Sequence, residues 1–390
     1  EKNLDSIKSK LQSNIDTNAE VLKQLALDIH ATPELGFEEN KAVQWFSDYM
    51  ANHGFKIINN LAGLKTAFQA SYGQGKPIIA FIGEYDALPG VGHACGHNLI
   101  ASASAGAAVA AKSLVDAFGG QILFIGTPAE ELFGGKILMV EKGVFNSLDV
   151  AMMVHPKSGV NAAIANSLAC ITLYVEYFGK EAHAAADPEK GLNALDAMVV
   201  AYTAIAALRQ HIKNTARIHG IITEGGKSAN VIPGYSSGNF LIRASDLAYL
   251  RELKARILDC FRAGEFATGA KLKYRWDPVA YEPLKPNVTL ANLFLNNMNI
   301  LGRQIVFEDN KQSFGSTDMG NVSQIVPSLH GFIQIAPKDI AGHTKEFANA
   351  AASENGLQGM LDAAKAMVMT AADLLSTPDL IQKVKQDFQC

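Results

Sequence analysis

The chain has 390 residues, with 34 Lys and Arg against 38 Asp and Glu, a formal charge of −4. That balance argues against nucleic acid as a partner, because a phosphate-tracking protein carries a basic face. With 48% hydrophobic and 18% charged residues the chain can bury sizeable cores and does not have a disordered composition. No uninterrupted apolar run reaches the ~18–20 residues of a membrane span, so no membrane association is expected. The N-terminus lacks the apolar core of a secretory signal. Cys95, Cys170, Cys260 and Cys390 are too scattered for a disulfide scaffold. A cytoplasmic location is expected, with any special cysteine a ligand or nucleophile.

Apolar residues at three- and four-residue spacing predict helices over Ala19–His30 and Asn40–His53, separated by the breaker ATPELGFEE. Strand-like runs at Pro77–Ile82, Gln121–Ile125 and Val150–Val154 then alternate with helical stretches at Asn98–Phe118 and Gly135–Lys142. This alternation predicts an α/β catalytic domain, a mainly parallel sheet with helices on both faces. From about Ser167 the pattern becomes half-solvated strands, Ile171–Phe178, Ala216–Thr223, Ser237–Ala244 and Lys271–Trp276, with helices at Gly191–Lys213 and Ala248–Phe261. That is an inserted α+β domain, expected over 166–279. It interrupts a discontinuous first domain over 1–165 and 280–390, to which the strand Gly331–Ile335 and a long Ala-rich helix return.

Three apolar runs end in groups able to bind or activate a ligand. IIAFIGEYD delivers Glu84 and Asp86, ILFIGTPAEE delivers Glu130 and Glu131, and VAMMVHP delivers His155. In an open α/β sheet the carboxyl ends of the strands face one crevice, so these groups converge. Between the first of these strands and the small-residue helix lies GVGHACGHN, with Cys95 and His97 two residues apart on a glycine-rich loop. A thiolate and an imidazole so placed suit a borderline-soft divalent ion. Adding Glu131 and His155 gives more donors than one tetrahedral structural zinc requires, which points to an open catalytic site or to two ions sharing a ligand. Gly90, Gly92 and Gly96 also match a dinucleotide fingerprint, but Glu84 to Pro89 intervene where the phosphate-binding turn must follow the strand directly.

Adjacent residues in extended backbone point oppositely, so one of Glu130 and Glu131 can face a metal while the other serves as general base; spacing does not say which. In the insertion, His183 sits in a small-residue turn, and Pro188 and Asn193 lead into a helix. Asn230 and Arg243 offer an amide and a guanidinium suited to a carboxylate. Arg243 lies in an apolar strand and needs a partner if buried. FGSTDMG and GHTKEF, with His343, are polar islands near the rim of the first sheet. For His30 and its HATPELGFEE segment, helix termination and packing are the expected roles.

Taken together, HATPELGFEE, EYDALPGVGHACGHN, GTPAEE, VHP, AHAAADPEKGLNALDA, SANVIP, STDMGNVSQIVPSLH and GHTKEF resemble the M20 family of metallopeptidases and amidohydrolases. The likeness lies with the branch that holds the p-aminobenzoyl-glutamate hydrolases, the auxin-conjugate hydrolases and the peptidase M20 domain-containing protein 2 group. The resemblance implies a two-domain enzyme with two divalent ions per subunit, zinc or manganese. It makes Cys95 the shared ligand, His97, Glu131, His155 and His343 the remaining ligands, Glu130 the general base and Asp86 the acid that orients a ligand. His183 is implied to reach a neighbouring subunit's site, and Asn230 and Arg243 to hold a substrate carboxylate. The insertion then serves as lid and homodimer contact. The implied reaction is hydrolysis of an amide bond in a dipeptide or N-acyl amino acid with a free carboxylate. Release of ammonia from an aromatic amine and a non-catalytic binding subunit are the alternatives. Two departures stand out: Asn98 replaces an Asp of the auxin-conjugate relatives, and Leu132-Phe133 replace small residues after the acid pair.

Overall fold

Small residues allow the first sheet to be covered closely. A Cβ added at Gly83 would lie 2.6 Å from the Phe124 ring and 3.3 Å from the Ala101 backbone, and one at Gly106 would lie 2.7 Å from Leu22. The Ala-, Gly- and Ser-rich helix is therefore pressed between the sheet and the N-terminal helices. The computed structural model describes residues 4–309 and 315–389. Phe314 and Cys390 lie outside them.

The larger unit comprises residues 4–166, 284–309 and 317–389; the smaller comprises Ser167–Pro283 with Gly315 and Ser316. The larger begins with helices α1 (Leu4–Thr17), α2 (Ala19–Ala31) and α3 (Asn40–Asn52), then β1 (Lys56–Asn59), β2 (Phe68–Gln74), β3 (Ile78–Glu84), α4 (His97–Phe118) and β4 (Gly120–Thr127). Next come α5 (Glu130–Phe133), α6 (Gly135–Glu141), β5 (Val150–Ser158) and β6 (Asn161–Ile164). The smaller unit holds β7 (Ala169–Phe178), α7 (Ala194–Leu208), β8 (Arg217–Glu224), β9 (Tyr235–Ala244), α8 (Leu247–Thr268) and β10 (Lys271–Trp276). The chain returns through α9 (Val288–Ile300), β11 (Ile305–Glu308), α10 (Met319–Ile325), β12 (Ser328–Ala336), α11 (Lys345–Ala350), α12 (Glu354–Ser376) and α13 (Pro378–Gln389).

Among the described residues the larger sheet runs β1-β2-β4-β3-β5-β12-β6-β11, and its centre, β4, β3, β5 and β12, is parallel. Alternation along these strands feeds two cores. Ile79, Phe81, Phe124 and Met152 pack on the side of the N-terminal helices, α4 and α12. Ala80, Ile82, Ile125 and Met153 pack with Met139, Phe145, Met319 and Val322 on the other. Both faces are thus covered, the α/β arrangement expected of an alternating pattern. The smaller unit is an antiparallel sheet, β10-β7-β9-β8, with the buried faces of α7 and α8 on one side.

Several elements differ from expectation. α1 (Leu4, Ile7, Leu11 and Ile15 at three- and four-residue spacing) and the strands β1, β2, β6 and β11, of which β1 and β11 are the sheet edges, are not among the expected elements. The predicted helix Gly191–Lys213 shrinks to Ala194–Leu208, because Asn193 caps it by accepting from the Leu195 and Asp196 amides. The predicted helix Ala248–Phe261 extends to Thr268, where Gly269 ends it in a left-handed conformation.

α1 is fastened by a buried polar knot. Lys8 Nζ lies 2.6 Å from Asp373 Oδ1 and donates to Asn297 Oδ1 at 2.8 Å, while Asn297 donates to Asp373 Oδ2 at 2.9 Å. Lys8→Met should destabilise the larger unit by about 3–5 kcal/mol, since it strands the Asp373 charge. Denaturant titration checks this; an unchanged midpoint would show the knot to be energetically idle.

Candidate metal centre

β3 runs out at Glu84, and Tyr85 and Asp86 follow it into the core. The chain then turns back through Gly90, Gly92 and Gly96, all with positive φ. At Gly96 (φ 75) a Cβ would meet Pro156 at 2.8 Å. The glycine is thus required both by its conformation and by the approach of the strand carrying His155. Cys95 and His97 flank it, and His97 opens α4 with no exposed surface.

Asp86 organises this corner. Its Oδ1 lies 2.9 Å from His97 Nδ1, and its Oδ2 accepts from the Glu131 backbone N–H at 3.0 Å. A ring proton sits on Nδ1, between nitrogen and carboxylate, so Nε2 is the atom left to bind an ion, which would displace any proton there. That atom is buried, has no hydrogen-bond partner among the described residues, and lies 3.5 Å from Glu84 Oε2 and 3.7 Å from Glu131 Oε1. Burial alone would lower the proton affinity of His97; Asp86 raises it well above the ordinary value.

The acid pair arrives differently from the extended segment expected. Pro128 leads to Ala129 in the left-handed region (φ 59), and Glu130 and Glu131 are the first residues of the short helix α5. They diverge because successive helical residues are turned about 100° apart, not because a strand alternates. His155, on β5, has Nδ1 2.7 Å from the Pro156 carbonyl and Nε2 3.5 Å from Cys95 Sγ. His343, also left-handed (φ 64), donates its backbone N–H to the Ala94 carbonyl, and its Nε2 lies 3.6 Å from Glu131 Oε2.

Two triads result. Cys95, His97 and His155 offer donor atoms within 4.8 Å of one another, and so do Cys95, Glu131 and His343. They share the sulfur. One thiol, three imidazoles and a carboxylate fit divalent-ion chemistry, and the partnerless His97 Nε2 and Glu131 Oε1 are buried atoms that such an ion would satisfy. Burial, reinforced by Glu131, pushes the Cys95 thiol above its usual range. A thiolate there therefore requires adjacent positive charge of the kind a bound divalent ion would supply.

Further charged groups lie behind Glu130. Lys136 Nζ, fully buried in the first turn of α6, sits 2.5 Å from Glu84 Oε1 and 2.8 Å from Asp318 Oδ1. Burial would raise the Glu84 carboxyl, but Lys136, then His97 and His155, bring it down to about 2. Burial pushes Glu130 well up, and Glu84, Asp318 and Glu131 add to it. Asp318 lies in the polar island FGSTDMG, but nothing there assigns it a role, and for Lys136 the available signal is a lysine inside the apolar GGKILMV run.

The remaining candidates belong to the smaller unit. His183 is exposed, and its Nδ1 accepts from the Ala185 and Ala186 amides at 3.2 and 3.1 Å, which puts the ring proton on Nε2. Asn230 is beside it: its carbonyl accepts from the Ala184 amide at 2.9 Å. Arg243 lies on the half-buried face of β9 and donates to Ser316 Oγ at 2.8 Å, supplying the partner its setting demands.

The HATPELGFEE segment gains definite roles. Glu34 accepts from the Lys41 and Ala42 amides at the start of α3. His30 Nε2 contacts the Ala348 carbonyl at 2.7 Å. Glu39, wholly buried, accepts from the Ala129 amide at 2.8 Å, holding the left-handed residue that precedes the acid pair. Asn98 donates to the carbonyls of Ala26 and Ala351, bonds a carboxylate in its place could not make.

Burial, with Asp86 adding, pushes the Glu39 carboxyl from 4.5 up to about 7. Ionising it inside the fold is therefore penalised, and stability present below pH 4.5 is lost as pH rises toward 7. Glu39→Gln keeps the acceptor without the charge. In the metal-free protein its melting temperature should gain on wild type between pH 5 and pH 8, by at least about 2 °C, whereas Glu39→Ala should be less stable at both. Parallel melting curves for wild type and Glu39→Gln would refute the buried-charge penalty.

A family profile described as Peptidase family M20/M25/M40 matches residues 80–366. The Xaa-Arg dipeptidase of Mus musculus is 39% identical over 99% of this chain and 93% of its own length. One of the two p-aminobenzoyl-glutamate hydrolase subunits of Escherichia coli is 29% identical over 96% of this chain and 93% of its own. Among solved structures, a dinuclear metal binding peptidase of the M20 family from Bacillus subtilis superimposes with a TM-score of 0.73 at 19% identity, over 93% of this chain and 99% of that one. That likeness concerns the fold.

Proposed function

Since the chain belongs to peptidase family M20/M25/M40 and is a hydrolase of amide or peptide bonds, we propose that it cleaves dipeptides or N-acyl amino acids bearing a free carboxylate, using two divalent ions. The observation that carries this reading is the pair of ligand triads sharing Cys95, with a spare buried acid, Glu130, beside the ligand Glu131.

Cys95, His97 and His155 would hold one ion and Cys95, Glu131 and His343 the other, with zinc or manganese suited to this mixture of sulfur, nitrogen and oxygen. When bound, such ions would supply the positive charge that acidifies an attacking water and polarises the scissile carbonyl. Glu130 takes the water's proton and passes it to the leaving amine. Asp86 keeps the His97 ring and the Glu131 backbone in register. His183, with its Nε2 proton outward, complements the oxyanion in the site of a partner subunit. Asn230 and Arg243 hold the substrate carboxylate, and the smaller unit forms the homodimer contact.

Glu130→Gln should lower kcat by about two to four orders of magnitude with metal content unchanged; elemental analysis beside steady-state kinetics checks both. Near-normal turnover would remove Glu130 from this role. The substrate panel should include dipeptides ending in arginine, because the 39% identical relative is an Xaa-Arg dipeptidase. Ammonia as the product in place of an amino acid would assign an aminohydrolase instead, and binding without cleavage a non-catalytic role.

The placement of His183 has its own test. A Glu130→Gln subunit and a His183→Ala subunit, each inactive alone, should recover partial activity when exchanged into mixed dimers. Absence of recovery after demonstrated exchange would refute action across subunits.

A further inference from the structure

Glu84, Glu130 and Asp318 present carboxylate oxygens within 4.8 Å of one another, all buried, a grouping that could itself hold a cation. The Lys136 ammonium supplies that charge, at 2.5 Å from Glu84 Oε1 and 2.8 Å from Asp318 Oδ1. The lysine is also pinned by its backbone, which donates to Asp318 Oδ2 at 2.9 Å. Three distant segments meet on this one residue: the end of β3, the first turn of α6 and the residue before α10.

Lys136 is coupled mechanically to the acid pair. Its neighbour Gly135 packs so tightly that a Cβ there would fall 1.9 Å from the Pro128 carbonyl oxygen, and the Gly135 amide donates to the Ala129 carbonyl. Fixing Lys136 therefore fixes the turn from Pro128 to Gly135, on which Glu130 and Glu131 stand. Glu130 also belongs to a second grouping, with His97 and Glu131, on the side of the triads. It sits between two environments that compete for its carboxylate.

We propose that Lys136 is a positioning residue: a built-in cation, held by Glu84 and Asp318, that anchors the turn behind Glu130 and keeps its carboxylate directed at the reacting water. Without the ammonium, Glu84 and Asp318 lose their shared partner, and Glu130 is drawn back to share a proton or a stray cation with them. An ammonium suits this place because a compact charge on a flexible stem can serve two carboxylates from different directions, and because it cannot dissociate as a bound ion can. The inference rests on Glu130 being the proton acceptor proposed above.

The test compares Lys136→Met, Asp318→Asn and Glu130→Gln as metal-loaded full-length proteins, measuring kcat, KM and bound metal by elemental analysis. Lys136→Met should lower kcat about 10- to 100-fold, the scale of a misplaced catalytic group, with KM and metal content near wild type. Asp318→Asn should shift kcat in the same direction by less. Should Lys136→Met fail to fold, Asp318→Asn alone decides. Unchanged kcat overturns the proposal. So does a loss of activity matched by loss of metal, which would make the cluster a support for ion binding, and so does a rise in KM alone. An active Glu130→Gln would defeat the parent reading, whereas an inactive Glu130→Gln beside a normal Lys136→Met would defeat only this one.

Discussion

Asp86 holds the centre together through two hydrogen bonds that run to different parts of the chain. One carboxylate oxygen takes the His97 ring and the other takes the Glu131 backbone N–H. The ring bond fixes which imidazole nitrogen is free, and the backbone bond fixes where α5 begins. A candidate ligand at the start of α4 and another in the first turn of α5 are thereby referred to one carboxylate, so their separation does not depend on the tolerance of either loop. Asp86 is itself buried among acids, and the burial that would neutralise it is opposed first by His97.

Around this corner the structure uses conformational strain in a consistent way. Ala129 and His343 are non-glycine residues at positive φ, a conformation costing of order 1–3 kcal/mol unless the surroundings impose it. Each is held by a hydrogen bond from its backbone N–H, Ala129 to the Glu39 carboxylate and His343 to the Ala94 carbonyl. His343 bears a ring whose donor atom lies near Cys95, and Ala129 leads directly into the acid pair. Backbone strain, buried acids and a buried lysine occur together because one small volume must present several charged groups with little water.

Much of this is legible in the sequence. The alternation of strands and helices dictates the layer architecture, and polar residues closing apolar strands mark one rim. The pairing of Cys95 with His97 announces metal chemistry through residue type and spacing. Other features depend on partners that no local pattern reveals. Lys136 and Asp318 are separated by 182 residues, and Glu39 and Ala129 by 90. A lysine within GGKILMV reads as a solvated side chain until tertiary packing buries it beside acids. The acid pair reads as extended because a four-residue helix entered through a left-handed alanine leaves no periodic trace. Asn98 reads as a missing acid, whereas its amide makes two donations that clamp the start of α4 to the chain around it.

The two triads differ in their access to solvent. His97 is fully enclosed, whereas the side chain of His343 is 58% exposed and lies on a loop beyond β12. The half of the centre that includes His343 has one wall facing water. A metal held there would be open to chelators on the His343 side, whereas the His97 ring is enclosed and held by Asp86, and the His155 ring is held by the Pro156 carbonyl.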